Sequence, residues 1–92
     1  MDATLDKLLT YAEALARCAD DTTRAEDRAI YMQHLAAVAR MFVAALAGRR
    51  QELEELVATE RRAFGWGYLS GAEGSAAERA FDVFAKATES TK

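Results

Sequence analysis

Apolar residues recur at helical spacing near the start of the chain, which predicts an amphipathic helix over residues 4–19. The intervals between its apolar positions are 3, 4, 3 and 4 residues, and these positions are Leu5, Leu8, Ala12, Leu15 and Ala19. Intervals of this kind place the apolar side chains on one side of a helix with 3.6 residues per turn. The segment is therefore expected to bury one face and to expose the other.

A second helix is predicted over residues 24–47. Thr23 and Glu26 form a capping-box sequence that indicates its start. Gly48 allows two interpretations, because glycine often follows the last residue of a helix but also occurs as a weak point within one. The sequence leaves open whether this helix ends at Gly48 or continues into the next.

This second helix has two apolar faces. One face consists of Tyr31, Leu35, Val38, Phe42 and Ala45, and the other consists of Met32, Ala36, Ala39, Val43 and Leu46. A helix that is apolar on two faces is central in its domain or is shared with another chain. We therefore predict a homodimer with Phe42, Val43 and Leu46 at or near the contact.

Two further helices are predicted over residues 50–64 and 76–88. Ser75 and Glu78 form a second capping-box sequence at the start of the last helix. The third helix should expose its glutamates to solvent, and these are Glu52, Glu54, Glu55 and Glu60. The whole pattern predicts an all-α fold, a small bundle of about four helices in a single domain spanning residues 1–92.

The segment 64–74 is predicted to be a loop rich in glycine and aromatic residues. It contains four of the five glycines and the only tryptophan. The loop either caps the core or binds a partner, in which case the binding residues are Arg61, Arg62, Trp66 and Tyr68. If it only caps the core, the expected binding surface is the acidic face formed by Glu52, Glu55 and Glu60.

Composition limits the classes of partner. The net charge of −3 and the neutral balance of the third helix argue against nucleic acid, which requires a basic stripe. No run of about 18 apolar residues is evident, so no membrane span or membrane partner is expected. An acidic start and the single cysteine, Cys18, indicate a reducing cytoplasm. Nine arginines against three lysines are typical of a bacterial or phage protein.

The sequence predicts no catalytic residues, no metal site and no cofactor. His34 is the only histidine, and no metal-ligand spacing or nucleophile–base motif is present. On a helix, Asp27, Tyr31, His34 and Met41 lie along one side, so they form an alternative ligand site. The competing interpretation is that His34 and Tyr31 hydrogen-bond a neighbouring helix.

Two functions follow from these patterns. The first is a non-enzymatic helical protein–protein interaction module, of the adaptor, regulator, immunity or inhibitor type, which binds another protein and forms a homodimer. The alternative is a helical bundle that binds a small molecule or cofactor around Tyr31, His34 and the aromatic loop.

Overall fold

Four α-helices make up almost all of the described chain. The computed structural model describes the backbone of residues 3–64 and 71–90, and side chains within 3–63 and 76–89. The helices are α1 (Ala3–Asp21), α2 (Ala25–Leu46), α3 (Arg50–Phe64) and α4 (Gly71–Ser90). These ranges contain no strand, so the predicted all-α fold of four helices is confirmed.

The core lies between α1 and its two neighbours. α1 packs most extensively on α4 and then on α2, whereas α3 packs on α2 and barely touches α4. The largest fully buried side chains are Tyr11, Phe84, Leu8, Leu15 and Met41. Cys18 is buried among them, as expected for a small apolar side chain. The sheltered side of α2 is the face that begins at Tyr31, whose members are buried or packed against the core.

The predicted capping box at the start of α2 is wrong. Arg24, and not Thr23, occupies the N-cap position with extended backbone, and it makes no side-chain capping bond. The hydroxyl of Thr22 accepts a hydrogen bond from the Arg24 amide at 3.3 Å. α1 continues to Asp21, so only three residues connect the two helices. The turn is closed by Arg28, which donates to the carbonyl oxygens of Ala19 and Thr22.

Gly48 separates α2 from α3, which decides the question that the sequence left open. Its φ of 72° lies in the left-handed region, the only such value among the described residues. The Gly48 amide donates to the carbonyl of Ala45, and the Arg49 amide donates to that of Ala44. This pair of bonds is the Schellman arrangement, in which glycine after the C-cap satisfies the last carbonyls of a helix.

α4 begins five residues earlier than predicted. Gly71–Gly74, which we assigned to the loop, belong to the helix, and Ser75 lies inside it and not at its N-cap. Two glycines cost about 1 kcal/mol each in a helix interior, and this cost made a loop the expected outcome. The packing of α4 along α1 offsets the cost.

α2 is the helix to which the expectation about membrane spans applies. By length and composition it is apolar enough to cross a membrane, although only 22% of its most apolar segment is buried within the fold. A core helix of the same composition would be mostly buried. A substantial part of the apolar surface of α2 therefore lies on the outside of the bundle.

Candidate functional site

His34 lies in the core and bonds to a neighbouring helix, as the second interpretation of this residue predicted. Its side chain is 4% exposed, and its Nδ1 lies 2.7 Å from Oε2 of Glu60 on α3. The hydroxyl of Tyr11 on α1 donates to the same carboxylate oxygen. Three helices thus converge on one buried acid.

Glu60 was expected on the solvent side of α3, and this is wrong. The residue is only 5% exposed, so the acidic face predicted from Glu52, Glu55 and Glu60 loses one member. The His34 imidazole and the Glu60 carboxyl group share one hydrogen bond in this contact. Together with the bond from Tyr11, it compensates part of the cost of burying this polar group. The arrangement can hold α1, α2 and α3 in one register.

The other residues of the alternative ligand site are distributed differently. Met41 is fully buried in the core. Tyr31 is half-buried, and its pKa is raised by burial first, with smaller effects from Cys18 and from the carboxylate of Asp27. The structure thus brings Asp27 near Tyr31 but directs His34 towards α3, so a ligand site here stays a prediction.

The predicted partner-binding arginines make contacts on the bundle itself. The guanidinium of Arg61 lies 3.7 Å from the carboxylate of Asp82 and 5.6 Å from the ring centre of Phe81 on α4. Arg62 donates to the hydroxyl of Thr59 at 3.2 Å. Trp66 and Tyr68 lie outside the described residues, so the loop's role stays a prediction.

Two open clefts lie beside α3. One has a volume of about 500 Å³ and separates α3 from α4, with Glu54, Arg61, Arg62 and Glu89 at its polar edges. The other, of about 380 Å³, lies near Gly48 at the ends of α1, α2 and α4. Neither of these two clefts is lined by His34 or Glu60.

The most prominent surface feature is a continuous apolar row along the outside of α2. We call it the α2 seam, and its members are Ala25, Ala29, Met32, Ala36, Ala39, Val43 and Leu46. All seven are exposed, and the largest side chains are 54% (Met32), 59% (Val43) and 72% (Leu46) exposed. The intervals are 4, 3, 4, 3, 4 and 3 residues, which is the heptad spacing of a coiled coil. The row is thus apolar at every position over three heptads.

The sequence indicated five of these seven positions but not their exposure. The face from Met32 to Leu46 is visible as helical periodicity, but the opposite face of α2 is equally apolar. Periodicity cannot say which of two apolar faces packs against the core. The heptad spacing through Ala25 and Ala29 is the signal that was missed. Of the predicted dimer residues, Val43 and Leu46 lie on the seam, and Phe42 is half-buried beside it.

Comparison with known proteins adds no family to this description. No family model, no curated protein and no solved structure gives a significant match to the chain. Within the described parts of the chain, no group of three or more His, Cys, Asp or Glu side chains is arranged to hold a metal ion. The α2 seam and the buried acid are the two features of the described residues that bear on function.

Proposed function

We propose that the protein is a non-enzymatic helical interaction module, of the adaptor or regulator kind, that binds protein through the α2 seam. The observation that carries this proposal is the exposure of seven consecutive seam positions, all of them apolar. Single exposed apolar residues are ordinary on protein surfaces, but a continuous apolar patch marks an interaction site.

The distribution of charge on α2 supports the same function. Charged and polar side chains flank the seam at Glu26, Gln33 and Arg40, and none interrupts it. Protein interfaces have this organisation, with a core depleted of charge inside a polar rim. A small domain also gains from such a contact, because about 90 residues bury only about 60–65% of their unfolded surface.

The seam is better placed for function than the buried acid. Tyr11, His34 and Glu60 are all closed to solvent, so a substrate cannot reach them in this conformation. General acid–base catalysis requires the group to lie within hydrogen-bond reach of the substrate. The three residues instead support the position of α2, whose other side carries the seam.

The test compares two valines of similar exposure on different helices. Val43 on the seam is 59% exposed, and Val83 on α4 is 51% exposed. Val43→Glu should abolish association in sedimentation velocity between about 1 and 100 μM, because it places a charge inside the apolar contact. Val83→Glu should associate as the wild type does. Circular dichroism of both variants should show unchanged helix content.

Two results would contradict the proposal. One is an equal loss of association in both valine variants, which would mean that the seam has no special role. The other is a wild-type chain that stays monomeric at 100 μM and binds anionic phospholipid vesicles in a flotation assay. This binding would have to be lost in the Val43→Glu variant. In that case the apolar surface of α2 binds a lipid surface and not a protein.

A further inference from the structure

We propose that the α2 seam binds the α2 seam of a second copy of this chain, with the two helices antiparallel. This inference rests on the proposed function and adds the identity of the partner and the geometry of the contact. A strict alternation of 3 and 4 residues keeps a row of side chains facing a partner helix as the two wind around each other. Helices that only pack on the core do not need an exposed row with this period.

The composition of the seam suits close packing of two helices. Four of its seven residues are alanines, namely Ala25, Ala29, Ala36 and Ala39. Small side chains allow two backbones to approach closely, and a two-fold contact requires the same surface to complement itself. In an antiparallel pair centred near residue 34, Met32 packs against the partner's Ala36 and Val43 against the partner's Ala25. Larger side chains therefore meet smaller ones on both sides.

The flanking charges select this register. Glu26 and Arg40 lie seven residues on either side of Gln33, on the same edge of the seam. An antiparallel pair in this register places Glu26 beside the partner's Arg40 at two symmetric points, and Gln33 beside the partner's Gln33. Among the described residues, Arg40 has no carboxylate within 4 Å on its own chain, and Glu26 is strongly exposed. Arg40 is therefore not paired with any described carboxylate of its own chain, and the partner's Glu26 can complement it.

Other arrangements lack this complementarity. In a parallel pair, Glu26 lies 14 residues along the axis from the partner's Arg40, which is about 21 Å at 1.5 Å per residue. An antiparallel pair shifted by one heptad pairs Gln33, which is uncharged, with the partner's Arg40 or with the partner's Glu26, so the two opposite charges no longer meet. Exposed ion pairs add little affinity, but they choose orientation and register between competing pairs.

Charge reversal tests the register. Glu26→Arg and Arg40→Glu should each weaken dimerisation about tenfold or more in sedimentation equilibrium, because each puts like charges at both symmetric points. The double variant should return the dissociation constant to within about threefold of the wild type, as a coupled pair does. Arg24→Ala is the matched control, because it removes the ion pair of Glu26 within its own chain and leaves the proposed contact intact.

Cross-linking provides a second test that does not depend on charge. In a Cys18→Ala background, Gln33→Cys should be joined efficiently to its own copy by a short bismaleimide. Arg40→Cys should not be, because antiparallel copies of position 40 lie about 18 Å apart along the axis. Equal cross-linking at both positions would overturn the antiparallel arrangement.

The outcomes separate this inference from the proposed function. If Val43→Glu abolishes association but the charge reversals have no effect, the seam is an interface and the register is wrong. If the wild type forms trimers or larger assemblies through Val43, the two-chain geometry fails and the interaction function stands. If Val43→Glu leaves the dimer intact, both proposals fail.

Discussion

Glu60 receives hydrogen bonds from two helices on one carboxylate oxygen, and this concentrates much of the fold's specificity at a single residue. Tyr11 on α1 donates to this oxygen, His34 on α2 is hydrogen-bonded to the same atom, and all three side chains are buried. A buried charge is costly unless its hydrogen bonds are kept, so conformations that separate these helices are strongly disfavoured. We expect this group to favour one packing of the three helices as well as to stabilise it.

Removing the Tyr11 hydroxyl should therefore destabilise the folded state. We expect Tyr11→Phe to lower the free energy of unfolding by about 1.5–3 kcal/mol, the range for a hydrogen bond to a charged group. Tyr31→Phe is the matched control and should change stability by about 0.5 kcal/mol or less, since the Tyr31 hydroxyl makes no hydrogen bond among the described residues. Urea unfolding monitored by circular dichroism measures both. Equal effects would mean that the hydroxyl–carboxylate bond adds nothing.

The partnership of Glu60 with His34 could not be read from the sequence. A glutamate in a segment with three other glutamates is normally solvent-exposed, and helical spacing alone placed it there. What buries it is the rotation of α3 about its axis relative to α1 and α2, a tertiary property. The prediction for His34, a hydrogen bond to a neighbouring helix, succeeded because a lone buried imidazole needs a partner whatever its identity.

Among the helices, the clearest local device is the junction at Gly48. A side chain added there would meet nothing within 4 Å, so steric contact with the rest of the fold does not restrict the position. The restriction comes from the backbone, whose φ of 72° is unfavourable for an L-residue with a Cβ atom. Glycine at the end of an apolar run is readable from the sequence, whereas the capping of α2 at Arg24 has no such signature.

Substitution of Gly48 should separate these two effects. Gly48→Ala should cost about 1–2 kcal/mol of unfolding free energy because of the left-handed backbone. D-alanine at the same position, introduced by chemical ligation, should instead stabilise by up to about 1 kcal/mol, since it fits this backbone and restricts the unfolded chain. Urea unfolding measures both. If L-alanine and D-alanine destabilise the fold equally, neighbouring atoms and not the backbone conformation restrict position 48. That result would contradict the open space seen around this position.

α3 and α4 are connected by charge more than by packing. Arg61 on α3 lies 3.7 Å from Asp82, and Lys86 one turn along α4 lies 3.0 Å from the same carboxylate. The hydrogen bond from Lys86 is the main reason that the pKa of Asp82 is lowered, and Arg61 contributes less. Because the pKa is lower in the folded state, this stabilisation is present above about pH 4 and is lost as the pH falls through the folded value.

Carboxyl NMR titration can test the order of these two contributions. Lys86→Ala should raise the pKa of Asp82 most of the way to its usual value of about 3.9, and Arg61→Ala should raise it less. The pair is a matched comparison of two cations against one acid. A larger change in the pKa of Asp82 in the Arg61 variant would contradict this order. It would mean that the ion pair between α3 and α4 is stronger than the one within α4.

At the scale of the whole molecule, the bundle is asymmetric about α2. Its inner face completes a core with α1 and holds α3 through His34 and Glu60, while its outer face carries the seam. The sequence indicates that both faces are apolar and that the chain forms about four helices, but it cannot predict that none of the described helices covers the second face. In a two-fold dimer, the seam of each chain would be buried against the seam of the other, so both faces of α2 would be covered.

If the seam dimerises, thermal stability must depend on protein concentration. Association involves only the folded chain, so each tenfold rise in concentration adds about 0.7 kcal/mol per chain, half of the 1.4 kcal/mol that corresponds to a factor of ten. For a domain of this size that raises the melting temperature by about 3–6 °C. Val83→Glu should show the same dependence of melting temperature on protein concentration as the wild type.

Val43→Glu should melt at one temperature at every concentration, close to that of the dilute wild type, because an exposed substitution barely changes the stability of the monomer. If the melting temperature of the wild type does not change between about 1 and 100 μM, the chain does not dimerise in this range. The exposed apolar residues of the seam would then not form a dimer contact.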